Sequence, residues 1–158
     1  MRPTLSEMES PGVESRRWDG ERMIDHLVEN ARGNLEIARR LVLMGCAGFA
    51  ASSAQLSMRL LAAALLFERT GKVYGDPRQI AVELRAVFAG HIDDALIRYL
   101  EEGAAFELAG DPGEYLPPPT IDRAREEVDR AQRFLGDVVG ILHLPASKAR
   151  ITSPPASR

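Results

Sequence analysis

The chain is short of cysteine, of uninterrupted apolar sequence and of positive charge, and each shortage removes a class of protein. A single cysteine, Cys46, excludes an internal disulfide and fits a reducing compartment. The longest apolar run, Leu60 to Phe67, is eight residues, well below the roughly 20 that span a bilayer. Met1 to Arg17 are polar and hold no apolar core, so no signal peptide is expected and a soluble, cytoplasmic protein is. A formal net charge of −3 argues against a dedicated, electrostatically driven nucleic-acid binder, while leaving room for a small local basic site. Strand-like alternation of apolar and polar residues over four to eight positions is missing as well.

The catalytic signatures are equally sparse. The sequence has no Gly-x-Gly-x-x-Gly, no P-loop and no Gly-x-Ser-x-Gly elbow. It also lacks the Glu-x-x-His pair from which helical bundles build di-metal sites. His26, His91 and His143 are scattered, with no Cys or carboxylate at ligand spacing, so neither a metal nor a cofactor is expected. Asp93 and Asp94 read as helix-start residues serving capping and dipole, since adjacent helical positions point apart.

What is present is helical. The 158 residues are 45% hydrophobic and 27% charged, enough for one globular domain with a real core. The ends, residues 1–17 and 145–158, are rich in Ser, Pro and Arg without periodicity and read as disordered tails around a bundle over 18–144. From Glu21 to Met44, Ile24, Val28, Ala31, Leu35, Ala38 and Val42 share one helical face, widened by Leu27 and Leu41. Asp19 is the expected N-cap and Gly45 the stop. A second helix, Ala47 to Arg69, is apolar almost all round and leaves only Arg59 and a few small side chains for water. That pattern marks the central helix of a bundle. Asp76-Pro77 announces a short third helix ending near Gly90. A fourth, from Ile92 to Leu108, presents Ile92, Leu96, Tyr99, Leu100 and Phe106. Two Gly and four Pro make Ala109 to Pro119 a loop. Thr120 caps a last helix with a stripe of Ile121, Ala124, Val128, Ala131, Leu135, Val138 and Leu142. The expected fold is therefore all-α, an antiparallel bundle of about five helices.

One constellation offers chemistry: Arg85 and His91, six positions apart. An arginine stabilises a phosphoryl transition state, and a histidine moves a proton near neutral pH. Together they would suit metal-free RNA cleavage by a 2′-hydroxyl. The plainer reading makes Arg85 a solvated helix charge and His91 a cap after the Gly90 break. Cys46 reads as a small packing residue and Trp18 as a staple over the end of the bundle. Tyr115 is the candidate for an exposed aromatic in the Pro-rich loop. Arg123, Arg125, Arg130 and Arg133, interleaved with Asp122, Glu126, Glu127 and Asp129, read as a solvated face.

Residues 34–41, 48–51 and 54–66, the last with its stop at 70–72, together resemble the HEPN superfamily of small helical domains. Asn34-Leu35-Glu36-Ile37-Ala38-Arg39-Arg40-Leu41 resembles its first-helix pattern of Asp-Leu, two residues, Ala, then Leu. Gly48-Phe49-Ala50-Ala51 resembles the aromatic-Ala start of its second helix. Ala54-Gln55 through Ala62-Ala63-Ala64-Leu65-Leu66 follows the Ala-Gln-x-Ala-x-x-x-x-Leu-Lys-Ala-Leu-Leu helix, with the stop at Thr70-Gly71-Lys72. The chain departs from the family's pattern where Arg59-Leu60 and Ala63 replace polar positions and where Asp76-Pro77-Arg78 replaces a His-Asp pair. Nuclease members carry Arg, four to six residues, then His, which Arg85 and His91 satisfy, with Ala86 where a polar residue often follows. In the most similar branch an Arg-Tyr-Pro-like loop comes late, and Gly113-Glu114-Tyr115-Leu116-Pro117 stands there without the Arg. The resemblance implies a homodimeric binding or assembly module beside a minimal nucleotidyltransferase, in a toxin–antitoxin-type system. Two alternatives stand beside it: a metal-independent ribonuclease toxin using Arg85 and His91 from two protomers, and an unrelated helical interaction protein.

Overall fold

In a computed structural model the chain forms five helices: α1 (Leu5–Leu43), α2 (Ala47–Thr70), α3 (Pro77–Phe88), α4 (Asp94–Leu108) and α5 (Ile121–His143). The structure describes residues 5–108 and 119–143, with side chains over 19–102 and 119–142. The expected loop at 109–118, with Tyr115, and the expected tail from 145 lie outside the described residues. So do the side chains of Trp18, Phe106 and His143. No strand occurs among the described residues, and the fold is all-α as expected.

Most helix ends sit where local chemistry places them. Gly45 and Gly71 take positive φ, +77° and +68°, a conformation that costs an L-residue with a Cβ. The Gly71 N–H closes α2 on the Phe67 carbonyl at 2.8 Å. Asp76 caps α3, accepting from the Arg78 N–H at 2.9 Å, with Pro77 at the first helical position. Asp93 caps α4 through the Ala95 N–H (2.9 Å), which moves the start of α4 two residues beyond the expected Ile92. Thr120 caps α5 through the Arg123 N–H.

The start of α1 departs from expectation. Asp19 is an interior residue of α1, and the segment from Leu5 to Arg17, expected as a tail, belongs to the same helix. At Asp19 the physical reason is that no proline interrupts the sequence from Gly12 to Glu21, whereas Pro11, which removes one ladder donor, lies inside α1 and is not explained by it. The i→i−4 ladder therefore carries back through Asp19, and a capping-type residue caps only where that ladder ends.

α2 is the axis of the fold and packs against all four other helices. α1 runs antiparallel to it through the tight turn at 44–46, α5 lies alongside both, and the α3–α4 pair covers the remaining side of α2. The core joins Leu35, Met58, Leu61, Leu65, Leu66, Leu84, Phe88, Ile97 and Phe134. Ala31, Ala38, Ala54 and Ala62 are fully buried, and such small side chains let helix backbones approach closely. Ser57, also fully buried, donates from Oγ to the Ala31 carbonyl at 2.8 Å and so ties α2 to α1 without an orphan hydroxyl. By length and composition α2 would pass as a membrane-crossing helix, but its apolar side chains are mostly buried against the other helices of the bundle.

The sequence stripes are right in period and imperfect in detail. On α1, Ala31, Leu35 and Ala38 are buried, whereas Ile24, Leu27, Val28, Leu41 and Val42 are less completely covered. On α5, Phe134 rather than Leu135 is the fully buried side chain. On α2, Phe49 and Leu56 face water while Arg59 is half-buried, the reverse of the expected arrangement. Each of these depends on which neighbouring helix is present at that level, information that periodicity alone does not carry.

Candidate functional site

The residues singled out for chemistry lie where α3 turns into α4. Arg85 occupies the last turn of α3, and Gly90, with φ of +84°, lets the chain reverse. His91 follows on the exposed turn, its backbone N–H donating to the Phe88 carbonyl at 3.0 Å. Ile92 then drops into the core at 5% exposure and anchors the turn.

The Arg85 guanidinium is held by carboxylates of α4. Its Nη1 donates to Glu101 Oε1, and its Nε lies 3.4 Å from Asp94 Oδ1. Asp94 is shared, because Arg98 donates to its other oxygen at 2.8 Å. The ionisation of these groups follows from the contacts. The hydrogen bond to Glu101 raises the Arg85 pKa further above its ordinary value, aided by the two negative charges. The Arg98 hydrogen bond, followed by the charge of Arg85, holds Asp94 below the ordinary carboxylate range. Across on α5, burial and the charge of Asp93 push Asp137 up against the opposing pull of Arg133.

The structure thus brings Arg85 together with Asp94 and Glu101 and places His91 in solvent on the adjoining turn. An arginine that stabilises a developing phosphorane must offer its donors to phosphate oxygens. At Arg85 those donors already face two carboxylates, which repel a phosphate backbone as well as occupy the guanidinium. The arrangement is well suited to fastening α4 to α3. Among the described residues, no three His, Cys, Asp or Glu side chains converge as a metal site requires.

A second polar cluster, missed by the sequence reading, lies inside the bundle between α2, α4 and α5. Tyr99 and Glu127 are 8% and 6% exposed, and the Arg130 guanidinium stacks over the Tyr99 ring at 4.7 Å. Burial raises the Tyr99 phenol well above its usual value, with the Gln55 amide opposing the shift and the Glu127 carboxylate adding to it. Glu127 Oε1 lies 3.7 Å from Arg123 Nε. Hence Glu127 and Arg130 do not belong to a solvated face, although the exposed Arg125–Asp122 pair does. The available signal was positional: Glu127 precedes Val128 and lies three residues after Ala124, on the edge of the apolar stripe.

The surface carries one further feature. Around the α1–α2 turn Leu43, Met44 and Phe49 are 87%, 73% and 73% exposed. Phe49 forms one wall of a shallow groove of about 580 Å³ lined by Cys46, Ala47, Gly48, Ser52 and Pro119. Leu43 and Val42 line a smaller hollow of about 230 Å³ with Arg39, Arg125, Val128 and Asp129. Cys46 therefore sits at an apolar surface, not within the core.

No protein-family model matches the sequence, and no curated protein matches it. The structure is similar to the crystal structure of TT1696 from Thermus thermophilus, with a TM-score of 0.60 over 74% of this chain and 96% of that one. At 19% identity the likeness is one of fold.

Proposed function

We propose that the chain is a HEPN-like helical assembly module that works through protein contacts and does not catalyse. The observation that carries this reading is the apolar tip formed by Leu43, Met44 and Phe49. Three large hydrophobes at one turn, each more than 70% exposed, lose water contact only when another surface covers them. The hollow beside them, with Arg39, Arg125 and Asp129, supplies the mixed-charge rim typical of such contacts. The occupancy of Arg85 by Asp94 and Glu101 supports the same reading from the other direction, since its donors are already engaged and not open to a phosphate beside His91.

The module is homodimeric on this reading, with the α1–α2 tip as the self-association surface and a cytoplasmic setting. A minimal nucleotidyltransferase is the further partner that the HEPN resemblance implies. Sedimentation equilibrium tests the dimer. The wild type sediments as a dimer at micromolar concentration, and Phe49→Glu shifts it to monomer with unchanged helicity. A monomeric wild type overturns the self-association reading. Incubation with mixed single-stranded RNA in EDTA tests the other half. Intact RNA is the expected outcome, whereas cleavage that His91→Ala abolishes establishes the ribonuclease instead.

A further inference from the structure

α1 and α5 run antiparallel, and toward the α1–α2 turn Arg39 donates to Gln132 across their seam. Toward the start of α1 the seam gives way to a groove of about 660 Å³, edged by the last turn of α2. Its floor is apolar: Ile24 and Val28 from α1, Val139 and Leu142 from α5. All four are half-buried, although Ile24, Val28 and Leu142 belong to stripes that the sequence assigns to the core. Their period suits a neighbouring helix that the described residues do not supply at this level.

The rim carries four carboxylates, Glu21, Asp25, Glu29 and Glu68, against one guanidinium, Arg32. Glu21, Asp25 and Glu29 stand at i, i+4 and i+8 of α1, a spacing at which like charges repel and weaken a helix. Glu21 has a polar interaction of its own, whereas no ion pair among the described residues engages Asp25, Glu29 or Glu68. Successive turns set the α1 carboxylates about 6 Å apart along the helix axis. They form a row, and among the described residues no three carboxylates converge on a point as a metal ion requires. A row of negative charge beside an apolar floor complements a rod that carries cations at the same repeat.

A basic amphipathic helix has that repeat. Its Lys or Arg side chains at three- and four-residue spacing rise along the axis as Asp25 and Glu29 do, while its apolar stripe faces the floor. From Glu21 to Arg32 the groove follows α1 for about 16 Å, which about three helical turns fill. On α5, Gly136 and Gly140 flank Val139 and are exposed, and a Cβ added to either would meet nothing within 4 Å. Glycine inside a helix costs stability relative to alanine. At these two positions it leaves the α5 surface beside Val139 low, so that a further backbone can come close.

We propose that this groove binds a basic amphipathic helix of another protein, with Lys or Arg side chains on Asp25, Glu29 and Glu68 and an apolar stripe over Ile24, Val28, Val139 and Leu142. Docking removes the four apolar side chains from water and neutralises the acidic row. The site lies at the other end of the α1–α2 hairpin from Leu43, Met44 and Phe49, and it stands independently of the self-association proposed for them.

The probe is a synthetic peptide of about 14 residues, four helical turns, with Leu and Lys at amphipathic helical spacing and both ends blocked. Its control has the same composition in scrambled order. In fluorescence anisotropy the helix binds the full chain with a Kd on the order of 10 μM, and the scrambled peptide binds at least about tenfold more weakly. Amide shifts of isotope-labelled protein change selectively over residues 21–32 and 136–142. Asp25→Asn/Glu29→Gln relieves like-charge repulsion within α1, so the variant folds, and it raises the Kd about tenfold. Phe49→Glu, which breaks the proposed dimer, leaves the Kd unchanged, so the groove and the tip succeed or fail separately. The proposal is overturned by absence of binding, by equal binding of the scrambled peptide or to the Asp25/Glu29 variant, or by shifts confined to other surfaces.

Discussion

Arg85 has two carboxylate partners, and its chemistry follows from them rather than from its spacing to His91. The same contacts fix a pH dependence. Asp94 has a depressed folded-state pKa, first through Arg98 and then Arg85. A depressed acid contributes stability that is complete above its unfolded pKa and is lost as pH falls through the lower folded value. Stability therefore declines as pH drops below about 4, and Asp94→Asn flattens that decline in urea titrations at successive pH values. Asp137 has the opposite sign, its pKa raised by burial and by Asp93. Ionised at neutral pH, it opposes folding, so Asp137→Asn raises the melting temperature at pH 7 and the gain vanishes in acid. In the core, Phe134 is fully buried where the stripe expects Leu135. Phe134→Ala is expected to cost about 3–5 kcal/mol in denaturant unfolding, and Leu135→Ala distinctly less, because only the first opens a cavity between packed helices.

At the scale of elements, the helix ends are where sequence reading works best. Gly45, Gly71 and Gly90 adopt positive φ and fall at the ends of α1, α2 and α3. Asp76, Asp93 and Thr120 cap with their own oxygens. These interactions span two to four residues, so a local pattern suffices to find them. Gly71→Ala forces a Cβ into the left-handed region and costs about 1–2 kcal/mol, measured as a lower unfolding midpoint. Asp76→Ala frees the Arg78 N–H and costs about 1 kcal/mol, while Asp76→Ser retains most of the cap. Asp19 shows where this logic ends. The residue type is a capping one, but α1 carries through it, since a cap forms only where the helical ladder stops. The ion pairs Arg39–Glu36 and Arg40–Glu36 on the exposed face of α1 are local in the same sense, and at exposed i,i+3 and i,i+4 positions they add little.

For the whole molecule, the fold is a helical hairpin of α1 and α2 with α5 alongside and α3–α4 closing the far side of α2. Its end at the α1–α2 turn is apolar, while the groove floored by Ile24 and Val28 has an acidic rim. The apolar end predicts a salt response. The proposed association through Leu43, Met44 and Phe49 is expected to hold or strengthen between about 0.1 and 1 M salt, because apolar burial is unscreened. Sedimentation equilibrium at successive salt concentrations checks this. The all-α class, most helix ends other than the start of α1, and the axial place of α2 were legible in the sequence, because capping, glycine conformation and an apolar surface all round are properties of contiguous residues. The partners of Arg85, the burial of Tyr99 and Glu127 beneath Arg130, and the exposure of Phe49 were not. Each depends on side chains 9 to 31 positions distant along the chain or on a neighbour's absence at one level of the bundle. Sequence alone thus determined what the helices are and where they stop, through short-range hydrogen bonds and hydrophobic period. Only the tertiary structure decided which charges meet and which apolar residues stay in water, because packing brings together residues that no local pattern relates.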